Sequence, residues 1–283
     1  MLDSSHRCRP RSARSVGFVE RVADADGSPR RAARDETAGA DADAAFLIPP
    51  SLRARMPLTA GVVAVQGDVE EHADAIERAA RARGHEVTVR EIRESGIVPD
   101  CDLLAMPGGE STTISRLVHS EGIAAEIRDH VAAGKPLLAT CAGLIVASSD
   151  PNDDRVDELG LLDVAVERNA FGRQKDSFEA PLEVEGLADD EPYPAVFIRA
   201  PAVADVDIGA DDNGDEGGNG DANAEVLATW DGRPVAVRQG SVVGTAFHPE
   251  LTPDSRIHGL AFFENEAASV PALENEKPAT DPA

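Results

Sequence analysis

The stretch PLLATCAGLIVAS, residues 136–148, sets the fold class. Its apolar and small residues Pro136–Thr140 read as a short buried strand. Cys141 follows directly, and Ala142–Ser148 is a run of small and apolar residues that opens a helix. A sharp strand-to-helix turn of this kind exposes its side chain at the carboxyl end of a sheet, where open α/β sheets bind ligands. The positive helix end favours thiolate over thiol, and backbone N–H groups in the turn can hold an oxyanion. Alone, the same context also fits a buried, inert cysteine.

The alternation continues outward in both directions. Upstream, Ala60–Gln66 (AGVVAVQ) is another apolar, β-branched run; Val69, Ala73, Ile76 and Ala80 then recur at helical spacing, and Gly84 stops that helix. Glu86–Ile92 and Asp102–Met106 read as strands, and Ser111–Ala133 as one helix closed by Gly134. Downstream, Leu162–Glu167, Phe178–Val184, Ala195–Arg199, Val226–Trp230, Pro234–Arg238 and Ser241–Phe247 read as strands, the last two forming a hairpin at Gln239-Gly240. A closing helix is expected over Pro253–Ala268. Strands alternating with helices predict an α/β fold, a three-layer, mostly parallel sheet flanked by helices.

Composition narrows the function classes. The 283 residues carry 27 basic and 52 acidic side chains, a formal net charge of −25, and 42% are hydrophobic. That is too apolar for a wholly disordered chain, and no apolar run approaches the roughly 20 residues of a membrane span. The sign of the charge argues against a nucleic-acid binder that neutralises phosphates. Three unpatterned cysteines, Cys8, Cys101 and Cys141, fit a reducing, cytoplasmic setting. Only Lys135, Lys175 and Lys277 are lysines, and an acid excess with scarce lysine is expected of a protein kept hydrated at high salt.

The same arithmetic divides the chain. Residues 1–55, with ten arginines, eight acids and no apolar periodicity, read as a disordered extension or as the result of a start assigned ahead of Met56. Residues 56–268 read as the folded domain and 269–283 as a flexible tail. Residues 205–225, with eight acids and five glycines, read as an acidic loop insert. Asp211, Asn213 and Asp215 have calcium-loop spacing, but Glu216 stands where a glycine is required and Ala222 where the last glutamate belongs, so no metal site is expected.

Four further segments carry chemistry. His248-Pro249-Glu250 follows an apolar strand, and residues i and i+2 of an extended segment point to one side. Glu250 can therefore hold the ring of His248 while its other nitrogen takes a thiol proton from Cys141, the arrangement of nucleophilic catalysis. Gly108-Gly109-Glu110-Ser111 lies between strand and helix, where glycine allows close backbone approach to a ligand and serine caps the helix. Arg168 and Arg199 each end a strand, with Ile198 beside the second. Their forks suit a carboxylate, although a solvated salt bridge is the commoner reading of arginines so placed.

Taken together these segments resemble a class I (triad) glutamine amidotransferase, whose fold is flavodoxin-like. More narrowly they resemble the glutaminase subunit of pyridoxal 5′-phosphate synthase. The matching stretches are AVQGDVEEH (64–72), MPGGESTTISRL (106–117), ATCAGLIVAS (139–148), VERNAFGRQKDSFEA (166–180), VFIRAP (196–201) and FHPELTPD (247–254), in order across residues 57–266. The fourth and fifth are the most specific. The segment 166–180 argues against an amidotransferase serving another ammonia acceptor, such as the histidine or purine pathways.

The resemblance implies a set of roles. Cys141 would attack the side-chain amide of L-glutamine, with His248 as base and then acid and Glu250 orienting it. The backbone N–H groups of Gly109 and Ala142 would form the oxyanion hole, and Gly109, Glu110, Ser111, Arg168, Ile198 and Arg199 match glutamine-binding positions. Ammonia would pass to a separate lyase subunit, a (β/α)8 barrel in a large hetero-oligomer, which joins it to ribose 5-phosphate and glyceraldehyde 3-phosphate. The glutaminase would be weak alone, and residues around 66–72 would touch the partner. No cofactor or metal is implied. Residues 1–55, the acidic insert, and Asp68, where a small residue is frequent, depart from the family pattern.

Overall fold

The computed structural model describes residues 57–171, 177–206 and 223–263. The expected N-terminal extension, the C-terminal tail and most of the acidic insert lie outside them. In chain order the first half holds β1 (Leu58–Val63), α1 (Val69–Ala82), β2 (Val87–Ile92), β3 (Leu103–Met106), α2 (Ser111–Ser120), α3 (Ile123–Ala132), β4 (Leu137–Thr140) and α4 (Ala142–Ala147). The second half adds β5 (Ser148–Asp150), β6 (Leu162–Glu167), β7 (Phe178–Leu182), β8 (Tyr193–Phe197), β9 (Ala202–Val206), β10 (Glu225–Trp230), β11 (Arg233–Gln239), β12 (Val242–Thr245) and α5 (Arg256–Phe263).

The short apolar runs become the middle of a seven-stranded sheet in the order β10-β11-β12-β4-β3-β1-β2. From β12 to β2 every neighbouring pair is parallel, and β10 and β11 add an antiparallel edge. Strands β3, β4 and β12 are buried at every residue, as strands covered on both faces must be. Helix α1 packs with α5, and α2 packs with α3 and α4. The expected mostly parallel α/β sheet with flanking helices is the architecture observed. A three-stranded sheet, β5-β6-β9, and the β7-β8 pair complete it.

The chain runs from β1 outward to β2, then crosses back to β3 on the other side of β1. That reversal is the switch point at which doubly wound sheets open a crevice beyond the carboxyl ends of their strands. The loops after β1, β3, β4 and β12 all end there.

Several boundaries differ from the sequence expectation for local reasons. The single helix expected over Ser111–Ala133 is two, because Gly122 takes a left-handed φ of 75° that interrupts the helical path. The hairpin turn is Gly240-Ser241, since Gln239 still pairs with Val242. The insert expected over 205–225 is shorter, because Asp205 and Val206 close β9 and Glu225 opens β10. Strands β5 and β9 were not expected; SSD and AVADV are too short and too polar to stand out. No helix among the described residues is long and apolar enough to cross a membrane.

Candidate active site

Parallel pairing of β4 with β12 brings the cysteine and histidine segments together. Thr140 is in register with Thr245, and the next N–H, that of Cys141, donates to the Thr245 carbonyl at 2.7 Å. Cys141 then turns sharply, with φ 49° and ψ −105°, a sparsely populated conformation for any residue with a Cβ. The turn leaves Cys141 buried, 7% exposed as a residue, with Sγ 3.8 Å from the Ile198 carbonyl oxygen.

Two residues past β12, Phe247 is fully buried and the His248 N–H donates to the Val196 carbonyl of β8 at 2.9 Å. The imidazole Nδ1 lies 2.7 Å from Glu250 Oε1. Its acceptor is a carboxylate, so Nδ1 carries the proton and Nε2 is left for the sulfur. Burial favours the neutral ring, but hydrogen bonds to Cys141 and Glu250 outweigh it and push the pKa of His248 up to about 10. Burial raises the Glu250 carboxyl; His72 and His248 reverse that and hold it below its ordinary range. The expected i, i+2 relation of histidine and glutamate is thus observed, although the pair closes a strand through a 3-10 turn, Pro249–Leu251. Tyr193 pins that turn: its hydroxyl lies 3.3 Å from the Pro249 carbonyl, 3.3 Å from Thr252 Oγ1 and 3.1 Å from the Asp254 carbonyl.

Cys141 and His248 share one neighbour. A Cβ on Gly108 would stand 2.7 Å from His248 Cε1 and 3.3 Å from Cys141 Cβ, so the glycine leaves the space in which thiol and imidazole meet. Beside it, Gly109 has φ +142° and the Glu110 N–H donates to Gln66 Oε1 at 2.9 Å, which orients the peptide that follows Gly109.

These groups open into a cavity of about 290 Å³, lined by Cys141, Ala142 and His248 together with Gly109, Glu110, Ser111, Arg168, Ile198 and Arg199. Every candidate site residue except Glu250, which backs His248, faces this one space. Arg168 does not stand free in it: its guanidinium binds Asp153 and lies 3.4 Å from Glu110 Oε1. Arg199 is exposed with φ 48°. A larger cavity, about 680 Å³, is lined by Glu183, Glu185, Asp189, Asp190 and Glu191 among others, with no cysteine or histidine in its lining.

Sequence reading missed several parts. Gln66 and Asp68 were assigned only to a docking segment, yet Asp68 Oδ2 lies 3.9 Å from His248 Nδ1. Burial, then the charge of Glu250, raises the Asp68 carboxyl. His72 and Tyr193 gave no signal beyond their residue types. Ligand atoms of Asp68, His248 and Glu250 lie within 4.8 Å of one another. The imidazole nitrogen facing both carboxylates is already hydrogen-bonded to Glu250, so these three read as an acid–base set, not as a metal site.

Residues 62–267 match the SNO glutamine amidotransferase family. The chain belongs to that family. It is similar to the pyridoxal 5′-phosphate synthase subunit PdxT of Halobacterium salinarum, 68% identical over 209 residues that cover 74% of this chain and 95% of the relative. The subunit of the same name from Haloarcula marismortui is 65% identical over 210 residues, 74% of this chain and 98% of the relative. Both relatives come from salt-loving archaea, in keeping with the acid excess. A solved crystal structure described as a glutamine amidotransferase is 40% identical with a TM-score of 0.57, and covers 71% of this chain and 98% of its own.

Proposed function

We propose that this chain is the glutaminase subunit of a pyridoxal 5′-phosphate synthase, and that Cys141, His248 and Glu250 hydrolyse L-glutamine. The observation that carries the reading is the 2.7 Å contact of His248 with Glu250, behind a cysteine held at a strained strand-to-helix turn. His248, whose raised pKa favours the charged ring, carries the Cys141 proton, and the sulfur attacks the side-chain amide carbon of glutamine. The negative oxygen of the tetrahedral adduct is met by the N–H groups of Gly109 and Ala142; the latter is a first-turn donor with no partner inside its own helix. His248 returns the proton to the amide nitrogen, the C–N bond breaks and ammonia leaves. Water then attacks the γ-glutamyl thioester while His248 takes its proton. Glutamate is released and the thiol is restored.

Glu110 and Arg168 face each other across the rim at 3.4 Å. The zwitterionic head of glutamine offers the complementary pair, its ammonium to Glu110 and its carboxylate to the forks of Arg168 and Arg199. Gly109, Ser111 and Ile198 complete the binding surface. Ammonia is handed to a lyase subunit that builds pyridoxal 5′-phosphate from ribose 5-phosphate and glyceraldehyde 3-phosphate, with residues 66–72 at the contact. The fit of a named subunit of that synthase, 68% identical over most of its length, supports this acceptor over others.

The test is glutamate release from glutamine. Cys141→Ala is expected to abolish it with the fold retained, and turnover by that variant would refute the assignment. Addition of the lyase subunit is expected to raise turnover; Cys141-dependent activity indifferent to that subunit would point to a different acceptor.

A further inference from the structure

Glu250 has two carboxylate oxygens, and the reaction proposed above uses one. Oε1 accepts from His248 Nδ1, while Oε2 is buried and has no hydrogen-bond partner of ordinary geometry among the described residues. His72 Nε2 lies 3.4 Å from it. His72 projects from α1 and is fully buried. The same Nε2 is 3.2 Å from Thr140 Oγ1, on the residue that precedes Cys141, and Nδ1 is 3.3 Å from Nε2 of His258 in α5, also fully buried. One imidazole therefore touches the chain on both sides of the triad.

The proton arrangement follows from chemistry. Burial, the largest cause, lowers the pKa of His72 despite the charge of Glu250, and burial, then His72 and Arg78, lowers that of His258 well below its ordinary value. A neutral imidazole has one donor and one acceptor. His258 then donates from Nε2 to His72 Nδ1, and His72 turns its Nε2 proton toward Glu250 Oε2 and Thr140 Oγ1. His258 Nδ1, which has no partner among the described residues, carries no hydrogen in this arrangement, so no buried N–H is orphaned. The other titratable groups facing the cluster are His248, Asp68 and Glu71 around His72, and His248, Asp68 and Tyr193 around Glu250.

We infer that His72 is a positioning residue for the glutaminase reaction, holding the second oxygen of Glu250 so that the first stays on His248, with His258 fixing its tautomer. The inference rests on the reading of Glu250 as the orienter of His248. It also gives α1 a function: the helix that starts at the expected docking segment carries the side chain that braces the triad from behind.

Two polar substitutions separate bracing from mere core filling. Glutamine places an amide nitrogen near the position of Nε2, whereas asparagine reaches only that of Nδ1. In the assembled complex with the lyase subunit, H72Q is expected to keep kcat within about threefold, and H72N to lose about tenfold to a hundredfold of kcat, the scale set by a misplacement of about 1 Å at a reacting group. The KM for glutamine is expected to stay within about twofold in both, because neither touches the glutamine cavity. H72N is also expected to move the acid limb of the kcat profile upward, because it withdraws the Nε2 proton that faces Glu250 Oε2 and favours the charged carboxylate. Equal effects of the two substitutions, or none, would overturn the inference. If H72N does not fold, H72Q decides: wild-type kcat and acid limb are expected, and a tenfold loss overturns it. Failure of the underlying reading is separate, since it appears as turnover by Cys141→Ala whatever His72 does.

Discussion

Replacing Gly108 with alanine tests whether the meeting point of thiol and imidazole is as narrow as the geometry requires. The new methyl group would sit 2.7 Å from His248 Cε1 and 3.3 Å from Cys141 Cβ, while non-bonded carbons settle at about 3.5–4.0 Å. The ring must therefore retreat by about 1 Å, and it cannot do so freely, because Nδ1 is tied to Glu250 and the backbone to Val196. Gly108 is absent from the glycines of positive φ, so the penalty is steric and not conformational. Inserting one carbon into a packed region costs about 1–3 kcal/mol. For a folded unit of this size that lowers the melting temperature by about 2–4 °C per kcal/mol. A displacement of about 1 Å at a reacting group costs on the order of a hundredfold in rate. The assay is kcat for glutamate release in the presence of the lyase subunit, alongside a thermal melt at fixed salt. A kcat within about twofold of wild type would refute the argument, because the imidazole would then have room that the structure does not give it.

Three further outcomes are expected. His248 has its pKa raised to about 10 in the fold, so its contribution to stability is fully present below its unfolded value near 6.5 and is lost as pH rises through about 10. The denaturation midpoint should fall over that window, and fall less in Glu250→Gln, which removes one of the groups that raise the pKa; an unchanged slope would contradict the assignment. Tyr193→Phe deletes a fully buried hydroxyl that serves the Pro249 and Asp254 carbonyls, and should cost about 1–3 kcal/mol in a urea melt, with a smaller effect on kcat. With a net charge of −25, the fold should be lost in dilute buffer and recovered as KCl screens the repulsion, and circular dichroism that is flat against KCl concentration would show the acid excess to be inert.

The elements of the fold were legible where pattern is strong. PLLAT, DLLAM and AGVVAVQ mark strands because residues buried on both faces leave continuous apolar runs, and the period of α1 is clear because only one of its faces meets the sheet. The break at Gly122 was not legible, since the apolar period continues across it and only the backbone angle ends the helix. Within the site, Cys141, His248, Glu250 and the glycine doublet were readable because each sits at the end of a strand, where position along the chain predicts position in space. Arg168 could be read as a carboxylate-binding fork or as a salt-bridge arginine, with no partner named. That its partners include Asp153 depends on how the loop after β5 folds back, which no local pattern encodes.

The residues alone were enough to set the strands of the central sheet, the strand-to-helix turn at Cys141, the pairing of His248 with Glu250 and the acidic, lysine-poor surface, because all of these depend on neighbours along the chain. Side-by-side placement of β4 and β12 was different. So were the space that Gly108 leaves between sulfur and ring, and the brace of His72 and His258 behind Glu250. These contacts join segments far apart in sequence, and they exist only once the sheet has closed and excluded water from the polar groups beneath it.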